Sequence, residues 1–246
     1  MKTFCIIALL FFCLLANAQL HIGAKGGISI PNLEGNNEQS KGYTSGKGVY
    51  GGVLVNFQIT KSLSLQTEVN FSPQGGQRKG MQEVPSDAIS EISLPPDINL
   101  YANFKNVTIL NYLEIPILAK LMLGHRLKYY VCFGPHIAFL MEAKTKTSGN
   151  SPLYLDAGGT IPLMQNGNPI PPVSFNSTTD IKESIKTVNA GVQGGLGIQY
   201  PAGPGNIFLE GRAIIGVTNI QTHPETDGKN KTGSLAVALG YLIKIK

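Results

Sequence analysis

The segment 111-NYLEIPILAKLML-123 passes through 124-GHR-126 into 127-LKYYVCFGPHIAFLMEA-143, and its reading decides the fold. Glu114, Pro116 and Lys120 interrupt what would otherwise be a uniformly apolar run. A period of two gives them a place, because successive side chains of a strand point to opposite faces of its sheet. Leu113, Ile115, Ile117, Ala119, Leu121 and Leu123 share one face, and Tyr112, Glu114, Pro116, Leu118, Lys120 and Met122 share the other. In the next segment Tyr129, Val131, Phe133, Ile137, Phe139 and Met141 oppose Tyr130, Cys132, His136 and Glu142. The charged residues break the run but obey the period.

The same alternation recurs outward from this pair. In 235-LAVALGYLIKIK-246 the odd positions are bulky and apolar, and the even positions are mostly small or charged. In 206-NIFLEGRAIIGVTN-219, Ile207, Leu209, Ala213, Ile215 and Val217 oppose Glu210 and Arg212. The segments 20–30, 47–59, 62–72 and 187–200 complete a set of eight strands, with Lys25 and Glu68 on their polar faces. Thr60-Lys61, 124-GHR-126 and 201-PAGPG-205 read as tight turns, while long loops are expected near 31–46, 76–105, 144–180 and 220–233. Short turns on one rim and long loops on the other describe an all-β, eight-stranded antiparallel up-and-down transmembrane β-barrel. A soluble sandwich or lipocalin-like barrel would point its bulky face inward. Here the small and polar face suits a narrow lumen, and the bulky face suits lipid.

The ends and the composition agree. MKTFCIIALLFFCLLANA has a charged start, an apolar stretch and a small-x-small site, so residues 1–18 are expected to be a cleaved signal peptide and 19–246 the barrel domain. Cys132 is then the only thiol, which excludes an internal disulfide. Without Lys2 the chain has 19 basic and 15 acidic residues and no basic block, which gives no support to a nucleic-acid partner.

With this phase Lys25, Glu68, Glu114, Lys120, His136, Glu142, Glu210 and Arg212 are expected to point into the lumen. An eight-stranded interior is just wide enough for side chains to fill, so the charges should pair with one another. The alternative is a narrow ion or small-solute pore lined by the same groups. As an enzyme, the chain would need His136 in an acid/base pair with Glu114 or Glu142; otherwise His136 is a lumen side chain hydrogen-bonded to a carboxylate. No metal-ligand spacing, Walker-type loop or nucleophile elbow is present, so no cofactor is expected. The glycines of 191-GVQGGLG-197 are better explained by lumen crowding than by a dinucleotide.

The blocks 22-IGAKGGISIPNL-33, 61-KSLSLQTEVNFSPQGGQ-77, 111-NYLEIPILAKLML-123, 131-VCFGPHIAFLMEAK-144 and 208-FLEGRAIIGVTNI-220 run through nearly the whole mature chain. They resemble the Bacteroidetes-type outer-membrane β-barrel family, porin-family or PorT-like proteins with an OmpA/OmpX-like barrel. The resemblance implies an eight-stranded barrel in the cell outer membrane of a Gram-negative bacterium, without catalytic residues. It also implies contact with outer-membrane lipid and lipopolysaccharide, and with other envelope proteins through the long loops. One such role would be that of a secretion-machinery component, and a lipid-modifying enzyme is the remaining alternative. A closed barrel predicts that the protein, expressed with its signal, fractionates with the outer membrane and changes gel mobility on boiling. A soluble periplasmic protein with no shift would turn the barrel inside out.

Overall fold

The computed structural model describes residues 19–36, 42–84 and 99–245. The expected signal segment 1–18, residues 37–41 and 85–98 of two expected loops, and Lys246 lie outside the described residues. Eight long strands follow one another: β1 (Gln19–Gly35), β2 (Gly48–Gln58), β3 (Leu63–Val84), β4 (Leu100–Gly124), β5 (Lys128–Ser148), β6 (Val188–Ala202), β7 (Gly205–Gly216) and β8 (Asn230–Lys244). Each pairs antiparallel with its neighbours in the chain, and β8 pairs with β1 to close the ring. Closure leaves no sheet edge, the only way a sheet satisfies its backbone in lipid.

The register sets the size of the interior. From Leu20 the paired residues around the ring are Phe57, Leu65, Ala119, Phe133, Gly194, Ala213, Leu235 and finally Ile30. One circuit therefore advances 30 − 20 = 10 residues along β1. With eight strands that stagger tilts them by about 40° and places the backbone about 8 Å from the axis. The faces divide as the alternation requires. Val49, Val53, Val131, Phe133, Leu196, Leu235 and Val237 are exposed on the outside, whereas Lys25, Glu68, Asn70, Glu114, Lys120, Gln193 and Arg212 are buried inside.

The strands run further into the expected loops than the sequence suggests. β3 and β4 keep one register from Leu63↔Leu121 to Val84↔Leu100, which takes in residues 76–84 and 100–105 of the expected loop 76–105. β1 likewise runs to Gly35 and β5 to Ser148. Alternating apolar residues mark only the part of a strand that meets lipid, and 73-PQGGQRKGMQEV-84 continues the ladder beyond it. At about 3.3 Å per residue, a tilted β4 outreaches the roughly 25 Å apolar band several-fold in contour. The β5–β6 excursion packs onto this extension: Phe175 stacks on Phe104 at 4.8 Å, and Leu153 joins Val84, Leu100 and Ala102 in a small core. Ser177–Asp180 adds a short strand to β5.

One irregularity changes the phase. Tyr112 pairs with Leu140 but Asn111 pairs with Glu142, so Met141 is an extra residue in β5. Inward burial falls at Ala138 and Leu140 and then shifts to Ala143.

Val53 sits halfway along the exposed face of β2, and is 59% exposed. Val53→Arg is expected to destabilise the barrel in lipid vesicles by about 2–4 kcal/mol, as for a cation at the bilayer midplane. Urea unfolding in vesicles measures it. A change within about 0.5 kcal/mol would match a water-exposed surface instead.

Candidate functional site

Halfway up the lumen, four charged side chains from three strands meet. Lys25 on β1 donates to Glu68 on β3 at 2.7 Å and to Glu210 on β7 at 3.2 Å. Arg212, two residues along β7, reaches the same carboxylates at 3.0 Å and 2.5 Å. All four side chains are at most 1% exposed. In a confined, low-dielectric interior such charges are tolerated only when each meets opposite charge and hydrogen bonds. Here each cation touches both carboxylates.

Neutral groups add hydrogen bonds to both carboxylates, while Arg212 Nε has no partner. Glu68 also accepts from Gln66 Nε2 at 2.6 Å and Asn70 Nδ2 at 2.7 Å, and Glu210 accepts from Tyr130 Oη at 3.1 Å. Two glutamines carry the network to the remaining charges. Gln193 accepts from Arg212 at 2.6 Å and donates to Glu114 at 3.1 Å. Gln66 accepts from Lys120 at 3.3 Å. The Lys120 ammonium lies 3.7 Å from the centre of the Tyr130 ring, so an aromatic face replaces the carboxylate that pairing would have supplied. Lys25 is likewise 5.0 Å from the Tyr50 ring centre.

Two of the eight expected residues depart from expectation. Glu142 is outside the network: the extra residue Met141 turns it to the outer face, where it bonds Lys144 at 2.6 Å and Asn111 at 2.7 Å. Its side chain is 40% exposed. His136 does face the lumen, but neither ring nitrogen has a hydrogen-bond partner, so it pairs with neither Glu114 nor Glu142. The remaining six give three carboxylates and three cations. Gln66, Gln193, Tyr50 and Tyr130 complete the site; they share the inward parity, and only charge had singled out the others.

Apolar layers flank the cluster along the axis. Leu54, Met122, Tyr130, Phe208 and Leu242 lie toward the short turns. Leu33, Leu110, Tyr112 and Leu140, joined by Ile185 and Ile220 from the connections, lie toward the loops. The β6 glycines make room for bulky neighbours. A Cβ at Gly197 would strike the Tyr130 ring and its hydroxyl, and one at Gly195 would approach Arg212 Nε to 3.2 Å.

Arg212→Met and Glu68→Leu should each destabilise the barrel by about 3–5 kcal/mol, because each strands a buried charge. The double variant should lose clearly less than the sum, a coupling that urea unfolding in vesicles measures. Additive losses would mean that the pair does not interact.

A family model described as the outer membrane protein beta-barrel domain matches residues 16–221. No functionally curated protein matches the chain. Among solved structures, Neisserial surface protein A is 11% identical with a TM-score of 0.41, over 92% of this chain and 97% of that one. Ail, the attachment invasion locus protein of Yersinia pestis, is 10% identical with a TM-score of 0.40, over 92% and 99%. OprG from Pseudomonas aeruginosa is 9% identical with a TM-score of 0.38, over 93% and 98%. The family model covers most of the chain and takes in seven of the eight strands of the ring, β1 to β7. The chain belongs to the outer-membrane β-barrel domain family.

Proposed function

We propose that this protein is a non-enzymatic outer-membrane barrel with a largely closed lumen, exported through a cleaved signal peptide at 1–18. Its working surface is then the part that projects beyond the membrane. The observation that carries this reading is the Lys25–Glu68–Arg212–Glu210 cluster, which joins strands from across the lumen at its middle. An ion passing through would have to break contacts that are mutually satisfied, and apolar side chains flank them on both sides. A pore needs weak, exchangeable sites along its length.

Catalysis has little to work with. A general base needs a partner that orients it, and His136 has none within hydrogen-bond reach. Cys132 is buried in the wall, away from solvent. No group of three His, Cys, Asp or Glu residues among the described residues could hold a metal ion.

The extension favours partners in the envelope. β3, β4 and β5 continue above the apolar band as one sheet, braced by the Phe104–Phe175 stack and by Tyr154, which bridges to Tyr101. Cross-strand neighbours Lys79 and Lys105, with Lys144 and Lys146 on β5, give this sheet an excess of positive charge. It suits the phosphates of lipopolysaccharide or an acidic envelope protein. The blocks resembling Bacteroidetes-type PorT-like proteins favour, as a second reading, a component of secretion machinery.

Planar-bilayer recording of the reconstituted protein tests the closed lumen. The wild type is expected to show no stepwise conductance above the bilayer baseline. Discrete, reproducible openings in the wild type would establish the pore. Co-purification after cross-linking in native membranes tests the partner surface, and the charge reversals Lys79→Glu and Lys105→Glu should weaken any capture severalfold.

A further inference from the structure

We propose that the outer wall on the short-turn side seats one anionic phospholipid, an acyl chain lying in a groove across β4 to β8 and the phosphate on Arg126 and Lys61. This goes beyond the closed-lumen reading, because it concerns the lipid face of the wall and the rim opposite the loop-side sheet.

The groove follows from the register. Leu121, Val131, Leu196, Gly211 and Val237 are paired in turn across five neighbouring strands. Leu123, Tyr129, Ile198 and Leu209 form the next row toward the turns. All of these except Gly211 are exposed on the lipid face. Gly211 interrupts the upper row, since a Cβ built there would meet only the Leu196 carbonyl oxygen, 4.0 Å away. A depression of about 450 Å³ lies across the two rows. The stagger makes any paired row climb as it crosses the strands. Over the four steps from β4 to β8 the climb is about 12 Å, so the groove starts near the turns and ends deeper in the bilayer. An acyl chain descending from its headgroup follows the same course.

Cations stand at the foot of this groove. Lys61 belongs to the β2–β3 turn, where the Met122 amide donates to the Ser62 carbonyl at 2.7 Å and so sets the turn beside Leu123. Arg126 belongs to the β4–β5 turn, and its guanidinium lies 5.4 Å from the centre of the Tyr200 ring. Tyr200 is exposed on the outer face, two residues from Ile198 toward the turns. That stack keeps Arg126 on the lipid side, at the mouth of the groove. Tyr129 and Tyr200 together mark the headgroup level, where aromatic residues girdle a barrel.

Nothing at this rim opposes an anion. The short turns with their strand ends, 57–64, 123–129 and 199–207, contain no Asp or Glu. Glu68 and Glu210, further along β3 and β7, are already bonded to Lys25 and Arg212. Neither Lys61 nor Arg126 makes an ion pair among the described residues. A guanidinium presents paired donors that match a phosphate, and an ammonium adds a point charge beside it.

Position and charge select the occupant. The turns are too short to project far past the headgroup layer, which favours a lipid over a soluble protein. Short turns face the periplasm, where the outer membrane presents phospholipid rather than lipopolysaccharide. A headgroup with net negative charge gains more from two cations than a zwitterionic one does.

The chain has no tryptophan, so Tyr129→Trp reports from the foot of the groove. Its quenching by acyl-brominated phosphatidylglycerol, against brominated phosphatidylcholine in otherwise identical vesicles at low salt, measures the headgroup preference. Both leaflets have one composition, so orientation does not enter. The reporter protein is expected to prefer phosphatidylglycerol by about threefold or more. Adding Lys61→Gln and Arg126→Gln should abolish the preference. Gly211→Leu, which fills the notch without touching a charge, should at least halve it. Lys79→Gln with Lys105→Gln, at the opposite end, should leave it unchanged. If Gly211→Leu gives no heat-modifiable barrel, native mass spectrometry of the wild type replaces it. One phosphatidylglycerol should then be retained in preference to phosphatidylcholine, and lost with both cations; a ladder of equal adducts would contradict the site. Absence of any preference, or a preference that survives without the two cations, would overturn the proposal. A preference lost with the cations but kept in Gly211→Leu would mean a diffuse charged rim with no seated lipid, and would overturn it too. Bilayer conductance is read separately, so failure here leaves the closed-lumen reading standing.

Discussion

Ring closure with a ten-residue stagger over eight strands is the constraint on which the rest depends. It fixes a backbone radius of about 8 Å, too narrow for a water-filled bore lined by long side chains. Every charged residue with inward parity must find its partner across a few ångströms. The alternation that sends Leu, Ile and Val to lipid sends Lys25, Glu68, Glu210 and Arg212 to one another. The ion cluster is thus a consequence of geometry before it is a device of function.

Within that space Glu68 is the hub. It accepts from Lys25, Arg212, Gln66 and Asn70, and through Gln66 it is linked to Lys120. Residues far apart in sequence are held by one carboxylate on β3. The lumen then divides into strata: an apolar floor at the short turns, the ion cluster, a polar level around Ser72 and His136, and an apolar cap that borrows Ile185 and Ile220 from the connections.

Much of this was legible in the sequence, and the physical reason is the period of two. Leu235 to Ile245, or Ile207 to Val217, states plainly which face meets lipid, because lipid exposure demands bulky apolar side chains at every second position. The three short turns were equally clear. Elsewhere the signal fails for identifiable reasons. The β3–β4 extension from Pro73 to Val84 lies beyond the lipid and carries no apolar alternation, so it read as loop. Glu142 kept its parity in the sequence, yet the single extra residue Met141 reverses the phase, and nothing local announces a bulge. Gln66, Gln193 and Tyr130 share the inward parity, but nothing in the sequence joins them to the charge network, since neutral groups acquire a role only when the register brings a charge to them. His136 was expected to bond a carboxylate, but pairing preference says nothing about which side chains the stagger sets side by side.

The central claim is that the bulky face meets lipid and the small, polar face lines the lumen. The chain has no tryptophan, so a single introduced one reports without background. The decisive measurement is fluorescence quenching by lipids brominated along the acyl chain, with Val237→Trp on the outer face of β8 and Tyr50→Trp on the inner face of β2 compared in the same vesicles. Strong quenching of Val237→Trp with little quenching of Tyr50→Trp is the predicted result. Quenching of Tyr50→Trp with protection of Val237→Trp would put the bulky face inside and contradict the membrane barrel altogether.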